Sequence, residues 1–229
     1  MVSNNKVGAV IVAAGESRRM GGVDKILTLL GDKPILAQVV GVFEACESIN
    51  QIVIVLSKAN IGLGQEMAET EGWTKVSGIY AGGNRRQDSV ASGLKWLDDC
   101  GWVVIHDAAR PLVTERLIRR GLTQAKAFGA AVAAAPVTDT IKIAGEDMLV
   151  RETPLRSKLW AVQTPQVFKF DIIERAYKEI KEEVTDDAQL VEKLGLPVRL
   201  YMGDYDNIKI TTSDDLVIAE ALWQGRLKK

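Results

Sequence analysis

The fold is decided by residues 6–25, which read KVGAVIVAAGESRRMGGVDK. The first part, Lys6–Ala13, is a short apolar run of the length of a buried strand. A segment rich in glycines and cations follows, with Gly15, Gly21 and Gly22 next to Arg18, Arg19 and Lys25. Glycines let backbone N–H groups approach phosphate oxygens, and a loop after such a strand lies at the edge where open α/β sheets bind ligands. The stretch therefore predicts an α/β enzyme that handles a nucleotide.

This loop is neither of the two common phosphate-binding motifs. No GK[ST] follows, as a P-loop requires, and the GxGxxG pattern of dinucleotide-binding proteins is absent. The alternative is a plain surface loop with solvated charges. Three glycines and three cations directly after a strand favour the phosphate-binding interpretation.

Composition excludes several classes of protein. The 29 Lys and Arg residues nearly balance the 30 Asp and Glu residues, so bulk attraction to nucleic acid or to a membrane is not expected. The N-terminal apolar run is only about eight residues long and is too short to span a membrane. Two isolated cysteines, Cys46 and Cys100, favour reduced thiols in a cytoplasmic protein. His106 is the single histidine, which excludes a histidine pair as a metal site and indicates chemistry with little proton transfer; we expect it in the core or behind a site.

Strands and helices alternate along the chain. Further buried strands are predicted at Gln51–Leu56, Trp102–His106 and Ala130–Pro136. Helices are predicted at Pro34–Cys46, Arg85–Asp98, Glu115–Phe128 and Phe170–Glu182, with a short one between Thr185 and Gly195 and a last one from Ser213. Asn84 and Gln87 form a capping-box-like start for the second of these helices. The alternation predicts one domain, residues 1–229, with a mostly parallel sheet covered on both faces.

Residues 137–158 depart from this alternation. Apolar and polar residues alternate in Thr140–Ala144, Gly145-Glu146-Asp147 supplies a turn, and Leu149–Glu152 resumes the alternation. A projecting β-hairpin is marginally stable alone. We therefore expect this arm to pack on a second subunit.

Three further segments carry candidate site residues. The glycine pair in Ala81–Ser89 precedes a helix, so its backbone could read a base edge or hold an anion, or could simply form a tight turn. Asp107 follows a strand in His106–Pro111, where an acid near phosphates is a natural Mg²⁺ ligand or else a turn cap. Lys209 lies between two isoleucines and should point opposite to them or into a site.

Taken in order, these segments resemble the 2-C-methyl-D-erythritol 4-phosphate cytidylyltransferases of the non-mevalonate isoprenoid pathway. The matching blocks, over nearly the whole length, are AAGESRRMG with a later Lys, AGGNRRQDSV, HDAARP, VTDTIK, QTPQVF, TDDA and IKIT. The resemblance implies a Rossmann-like nucleotidyltransferase fold with a protruding β-hairpin arm, and a homodimer formed through that arm.

The resemblance also implies roles for individual residues. It makes three cations catalytic: Arg19, Lys25 and Lys209. The nucleotide would be held by Ala13, Ala14, Gly15, Gly83, Asn84, Ser89, Asp107 and Ala108. The second substrate would be held by Thr140, Arg156, Thr164, Thr185 and Arg110. Thr140 and Arg156 would reach into the partner's site, and Asp107 would hold Mg²⁺.

The implied reaction transfers a cytidylyl group from CTP to 2-C-methyl-D-erythritol 4-phosphate and releases pyrophosphate. The attacking phosphate has a second pKa of roughly 6, so it is already anionic and needs no general base. Cations that gather charge on the reacting phosphorus should supply most of the catalysis, and exchange of Arg19 or Lys25 for Ala should lower kcat by roughly 10²-fold or more.

Three alternatives remain at this stage. A ribitol-5-phosphate cytidylyltransferase would share the chemistry and a similar set of motifs. A dinucleotide-dependent oxidoreductase would need the missing GxGxxG. A non-catalytic nucleotide-binding domain would have no need for the cations Arg19, Lys25 and Lys209 together with Asp107.

Overall fold

The computed structural model describes residues 5–15 and 26–227. The strands in these ranges are β1 (Val7–Ala13), β2 (Leu29–Leu30), β3 (Lys33–Pro34), β4 (Gln51–Leu56), β5 (Val76–Ala81), β6 (Trp102–Asp107), β7 (Ala130–Pro136), β8 (Ile143–Ala144), β9 (Val150–Glu152), β10 (Trp160–Lys169) and β11 (Arg199–Met202). The helices are α1 (Ile35–Ala45), α2 (Ile61–Glu71), α3 (Arg86–Leu94), α4 (Glu115–Phe128), α5 (Phe170–Glu179), α6 (Asp187–Lys193) and α7 (Ser213–Leu227).

Seven strands form one twisted central sheet in the order β11-β7-β10-β6-β1-β4-β5. All neighbouring strands are parallel except β10, which is antiparallel to both β6 and β7. β1 lies between β4 and β6 and is buried along its whole length. The mostly parallel sheet that the sequence predicts is confirmed, and the loops after β1, β5 and β6 meet at one edge of it.

Helices cover both faces of the sheet, as predicted. Side chains of β1 alternate: Ala9 and Ile11 belong to the apolar cluster that includes α1 and α4, whereas Val10 and Val12 belong to the cluster that includes α3, α5 and α6. This alternation is the period of two that every strand imposes. The sheet is thereby a rigid support for the loops at its edge.

Several boundaries differ from those predicted. α3 begins at Arg86 rather than Arg85, because Arg85 is the N-cap residue and the Asp88 carboxylate accepts its backbone N–H at 3.2 Å. Asp88 therefore fills the capping position that the sequence pattern assigned to Gln87. α3 ends at Leu94 and α5 at Glu179, both earlier than predicted, and β6 extends to include Asp107. β5, β10, β11 and α2 were not predicted from the sequence.

The predicted arm forms a hairpin whose strands are shorter than expected. β8 and β9 pair antiparallel with each other in a separate two-stranded sheet. Large apolar side chains are exposed along the arm and its flanks: Ile141, Ile143, Met148, Leu149, Val150 and Leu155.

Two further expectations concern the chain as a whole. Cys46 and Cys100 are both free and buried. Among the helices of residues 5–15 and 26–227, none has the length and apolar character needed to cross a membrane.

Candidate active site

A cleft lies at the sheet edge where β1, β5 and β6 end. Its lining includes eight of the residues named from the sequence, namely Ala13, Ala14, Gly15, Gly83, Asn84, Ser89, Asp107 and Lys209. Arg86 lines the same cleft. We refer to it as the first cleft.

The turn after β5 packs directly on the segment after β1. A Cβ atom added at Gly82 would lie 2.3 Å from the Ala14 Cβ and 2.6 Å from the Ser89 Oγ, so any other residue there requires the neighbouring atoms to shift. The Gly83 backbone N–H donates to the Ser89 Oγ at 3.2 Å, and Ser89 is buried. Ser89 therefore holds the turn in place, and the glycine pair is a packing requirement as well as a candidate ligand site.

Asp107 is the centre of the electrostatics in the first cleft. Arg86 donates from Nε to its Oδ1 at 2.8 Å, and Lys209 donates from Nζ to its Oδ2 at 2.7 Å. Burial alone would raise the pKa of the Asp107 carboxyl, but Arg86 and Lys209 outweigh burial and hold that pKa well below its usual range. Asp107 is therefore an anion at neutral pH, paired on both oxygens.

Lys209 reaches this position because its neighbours anchor the backbone. Ile210 is fully buried and donates its N–H to the Ala109 carbonyl at 2.8 Å. The buried Asn207 side chain donates to the Thr164 carbonyl at 2.8 Å. The side chain of Lys209 consequently points away from the core and into the cleft, which is one of the two orientations that the sequence allowed.

A second cleft shares the residues of these ion pairs. It is lined by Arg110, Thr164 and Thr185, all named from the sequence for the second substrate. Arg86, Asp107 and Lys209 line both clefts. The two clefts are therefore adjacent, and a cation of the first is within reach of a ligand in the second.

Comparison with known proteins gives the family. The family model of 2-C-methyl-D-erythritol 4-phosphate cytidylyltransferase matches residues 7–224. The chain belongs to this family. It is thus a cytidylyltransferase, a nucleotidyltransferase of the non-mevalonate route to isoprenoid precursors.

Individual relatives and solved structures agree with the family assignment. The 2-C-methyl-D-erythritol 4-phosphate cytidylyltransferase of Dehalococcoides mccartyi strain 195 is 53% identical over 97% of this chain and 98% of its own. The crystal structure of 4-diphosphocytidyl-2C-methyl-D-erythritol synthase from Anaerococcus prevotii DSM 20548 is similar with a TM-score of 0.87 at 29% identity, covering 96% of this chain and 97% of that one. The cytidylyltransferase structure from Thermus thermophilus gives a TM-score of 0.78 at 32% identity, covering 96% of this chain and 99% of that one.

In this cytidylyltransferase His106 is a core residue and is fully buried. Its Nε2 lies 3.1 Å from the Arg110 carbonyl oxygen, and its Nδ1 lies 3.0 Å from the Thr164 Oγ1. Burial lowers the pKa of His106 to about 4, so the ring is neutral. Because a carbonyl can only accept, Nε2 carries the proton and Nδ1 accepts from the Thr164 hydroxyl. The histidine thus orients Thr164 and cannot serve as a base, in line with the place in the core or behind a site that was expected from the sequence.

Three described residues named from the sequence, Ala108, Thr140 and Arg156, do not line either cleft. Ala108 is fully buried, and its N–H donates to the Val12 carbonyl at 3.0 Å. Thr140 and Arg156 are exposed on the arm, where the Arg156 side chain donates to the Thr138 carbonyl. Arg19 and Lys25 lie outside the described residues.

Two residues of the site, Arg86 and Asp187, were missed at the level of the sequence. Arg86 was noted in the sequence only as part of the block AGGNRRQDSV, yet it lines both clefts. Asp187 lies in the first turn of α6, is 1% exposed and lies 2.9 Å from Arg86 Nη2. The available signal was the double acid Asp186-Asp187: only Asp186 is needed as a cap, and it accepts the Gln189 N–H at 3.0 Å.

The described residues would hold a Mg²⁺ ion only together with ligands from a bound substrate and water. Among them, no group of three or more metal-binding side chains comes together. Each Asp107 oxygen accepts one hydrogen bond in the contacts above and keeps a further lone pair. Mg²⁺ commonly takes one or two carboxylates together with substrate phosphates and waters, so Asp107 and a triphosphate would fit that pattern.

Proposed function

We propose that the chain transfers a cytidylyl group from CTP to 2-C-methyl-D-erythritol 4-phosphate with one substrate in each cleft. The products are 4-diphosphocytidyl-2-C-methyl-D-erythritol and pyrophosphate. One observation carries this proposal: the Asp107–Lys209 pair stands where the two clefts meet. A cation at that junction can touch both the α-phosphate of a nucleotide and an incoming phosphate.

CTP is assigned to the first cleft. The turn at Gly82 and Gly83 brings backbone groups close to the segment after β1, as a ligand read by main-chain atoms requires. Arg19 and Lys25, from the sequence, follow that segment and would neutralise the triphosphate. Asn84 is exposed beside the turn and is available to a cytosine edge.

The polyol phosphate is assigned to the second cleft. Its phosphate would meet Lys209 and the hydroxyl group of Thr185, and the polyol would lie beside Thr164. The Thr164 proton is committed to His106, so Thr164 would accept a hydrogen bond from a hydroxyl of the polyol. The attacking phosphate oxygen is already anionic, and the buried neutral His106 cannot act as a base. The barrier is electrostatic, and oriented cations lower it by stabilising charge on the pentavalent phosphorus.

Mg²⁺ is the proposed cofactor. When bound, it would neutralise triphosphate charge, with Asp107 as its ligand from the protein. Removal of Mg²⁺ with a chelator should abolish turnover, and equilibrium binding of CTP should weaken as well. A rate unchanged by chelator would refute this assignment.

The active form is proposed to be a homodimer joined by the arm. Among the described residues the hairpin pairs only with itself, and it carries exposed apolar side chains. A second copy of the chain would remove that apolar surface from water. Thr140 and Arg156 would then enter the partner's second cleft. A cytoplasmic location stays the expectation for a chain with two free buried thiols.

Light scattering on the purified chain tests the dimer. Leu149→Asp and Leu155→Asp, on exposed arm positions, should give monomers with little activity. Leu63→Asp is the matched control, because Leu63 is an exposed leucine on α2.

Arg156→Ala should raise KM for the polyol phosphate and leave KM for CTP unchanged. A dimer that survives both arm variants, or a rise in KM for CTP with Arg156→Ala, would contradict the proposed arm.

Identification of the product tests the reaction. Phosphorus NMR of a mixture of CTP, 2-C-methyl-D-erythritol 4-phosphate and enzyme should show a new diphosphate diester and pyrophosphate in equal amounts. Formation of inorganic phosphate in place of pyrophosphate would show hydrolysis of the nucleotide and refute the proposal.

A further inference from the structure

We propose that Asp187 and Tyr177 are positioning residues for cytidylyl transfer, acting through Arg86. This inference rests on the proposed function. Neither residue lines the two clefts, yet both belong to a continuous series of polar contacts that ends at Lys209. We define this series, Tyr177–Asp187–Arg86–Asp107–Lys209, as the charge chain.

Each link of the charge chain is short. The Tyr177 hydroxyl donates to Asp187 Oδ1 at 2.5 Å, and Asp187 Oδ2 lies 2.9 Å from Arg86 Nη2. Arg86 then donates from Nε to Asp107 at 2.8 Å, and Asp107 accepts from Lys209 at 2.7 Å. Arg86 therefore makes a hydrogen bond to Asp107 and an ion pair with Asp187 through two different nitrogens, and together these contacts orient its guanidinium.

The inner part of the charge chain, at Asp187, is more buried than its outer end at Lys209. Asp187 is 1% exposed, at the start of α6. Burial, and then the Asp187 charge, raise the pKa of Tyr177, so its hydroxyl keeps its proton and remains a donor. Burial alone would lower the pKa of Arg86, but Asp187 and Asp107 outweigh burial and raise it. The guanidinium is thus permanently charged between two carboxylates.

Stability alone does not explain a carboxylate at this place. Apolar side chains surround the start of α6, including Ile173, Ala188, Leu190 and Val191. Well-packed apolar residues commonly serve such a location as well as a buried ion pair does, or better. A polar series that leads from the core to a cleft is better explained by what it holds at its outer end.

The charges of the chain alternate in sign and cancel: Asp187, Arg86, Asp107 and Lys209. Lys209 is the outermost, with 38% of its side chain exposed. If Lys209 turns from Asp107 to an incoming phosphate, Arg86 still neutralises Asp107. Asp187 keeps Arg86 in place during that step, so the release of Lys209 does not leave a buried carboxylate without a partner.

Two variants test the inner residues. Asp187→Asn removes the charge and Tyr177→Phe removes only the hydroxyl. Residues that orient the groups of a site from behind typically contribute about 10–100-fold to activity. We therefore expect kcat to fall about 10-fold or more for Asp187→Asn and less for Tyr177→Phe. KM for CTP should stay within about threefold, since neither residue lines the first cleft.

A matched control and a cycle separate positioning from folding. Tyr201→Phe likewise removes a hydrogen-bonded tyrosine hydroxyl, but that hydroxyl donates to the Pro165 carbonyl at 3.0 Å and is not part of the charge chain. It should reduce stability about as much as Tyr177→Phe while leaving kcat near that of the wild type. In an Arg86→Met background, Asp187→Asn should cause no further loss of kcat, because its effect passes through Arg86.

Equilibrium binding of CTP, measured without the second substrate, gives a readout independent of turnover. Tyr177→Phe and Asp187→Asn should bind CTP normally. The inference is overturned if folded Tyr177→Phe and Asp187→Asn both keep wild-type kcat, or if Asp187→Asn lowers kcat equally with and without Arg86. Tyr177→Phe keeps the test decisive should Asp187→Asn fail to fold. If the wild-type chain itself does not form the cytidylyl product, the proposed function fails, and that result is distinct from either outcome.

Discussion

Asp107→Asn is the most informative single exchange at the junction of the two clefts. The side chain is 9% exposed and accepts from Arg86 and Lys209 at 2.8 and 2.7 Å. Asparagine has nearly the same shape but no charge, and one of its two terminal groups is a donor that faces a cation. The exchange therefore removes one charge-assisted contact and weakens the other.

The expected magnitude follows from these surroundings. Removing one partner of a fully buried ion pair costs about 3–5 kcal/mol. Here Arg86 keeps Asp187, and Lys209 is 38% exposed and can be hydrated, so the stranded cations are partly compensated. We expect the free energy of unfolding at pH 7 to fall by about 2 kcal/mol.

The loss should depend on pH in a defined direction. The pKa of Asp107 is lower in the folded protein than the value of about 3.9 of an unperturbed carboxyl. Its stabilising contribution is therefore fully present above the unfolded value and is lost as the pH falls towards the folded value. The difference in stability between wild type and Asp107→Asn should be constant from about pH 5 to 8 and shrink below about pH 4.

Urea unfolding followed by tryptophan fluorescence at pH 7 and at pH 3.5 measures this difference. Asp171→Asn is the control, since Asp171 makes an exposed pair with Lys169 and should contribute less than about 1 kcal/mol. Equal effects of the two variants at pH 7 would refute the arrangement around Asp107. So would a difference for Asp107→Asn that stays undiminished at low pH.

Three further exchanges test other parts of the site. Lys209→Met should lower kcat by about 10²-fold with a smaller change in KM for CTP, as measured by initial rates; an unchanged kcat would remove Lys209 from catalysis. Thr164→Val should raise KM for the polyol phosphate about tenfold, because it removes a buried hydroxyl together with its hydrogen bonds. Thr164→Ser keeps the hydroxyl and should have a KM near that of the wild type, so equal KM values for the two variants would refute this role. Gly82→Ala should destabilise the protein by about 1–3 kcal/mol and raise KM for CTP. Gly41→Ala is the control and should be neutral or slightly stabilising, because there is open space around Gly41. Similar melting temperatures for the two variants would contradict the close packing of the turn.

Local patterns were sufficient to predict part of the scaffold. The apolar run of β1 and the glycine-rich turn before α3 act through neighbouring residues, so the sequence alone locates them. Asp107 could be named because it follows a predicted strand, and Lys209 because it lies between two isoleucines, whereas the catalytic role of Lys209 came from the family resemblance. The hairpin arm could likewise be predicted, since alternation and a turn are local properties.

Tertiary pairing explains what could not be predicted from the sequence. β10 carries Gln163, Thr164 and Gln166 in its middle, and these polar residues break the apolar run expected of a central strand. They are tolerated because other parts of the chain satisfy them: Gln166, for example, donates to Asp186 at 2.9 Å. Arg86 and Asp187 are far apart in sequence, and no periodicity reveals that they meet.

Pyrophosphate release with CTP and each of two phosphates, with and without Mg²⁺, tests the central claim most directly. We predict release with 2-C-methyl-D-erythritol 4-phosphate that requires Mg²⁺, and a kcat/KM at least about 100-fold higher than with ribitol 5-phosphate, since a site built to bond particular hydroxyls discriminates strongly against a polyol that places them differently. A preference for ribitol 5-phosphate, or no release with either phosphate, would contradict the claim.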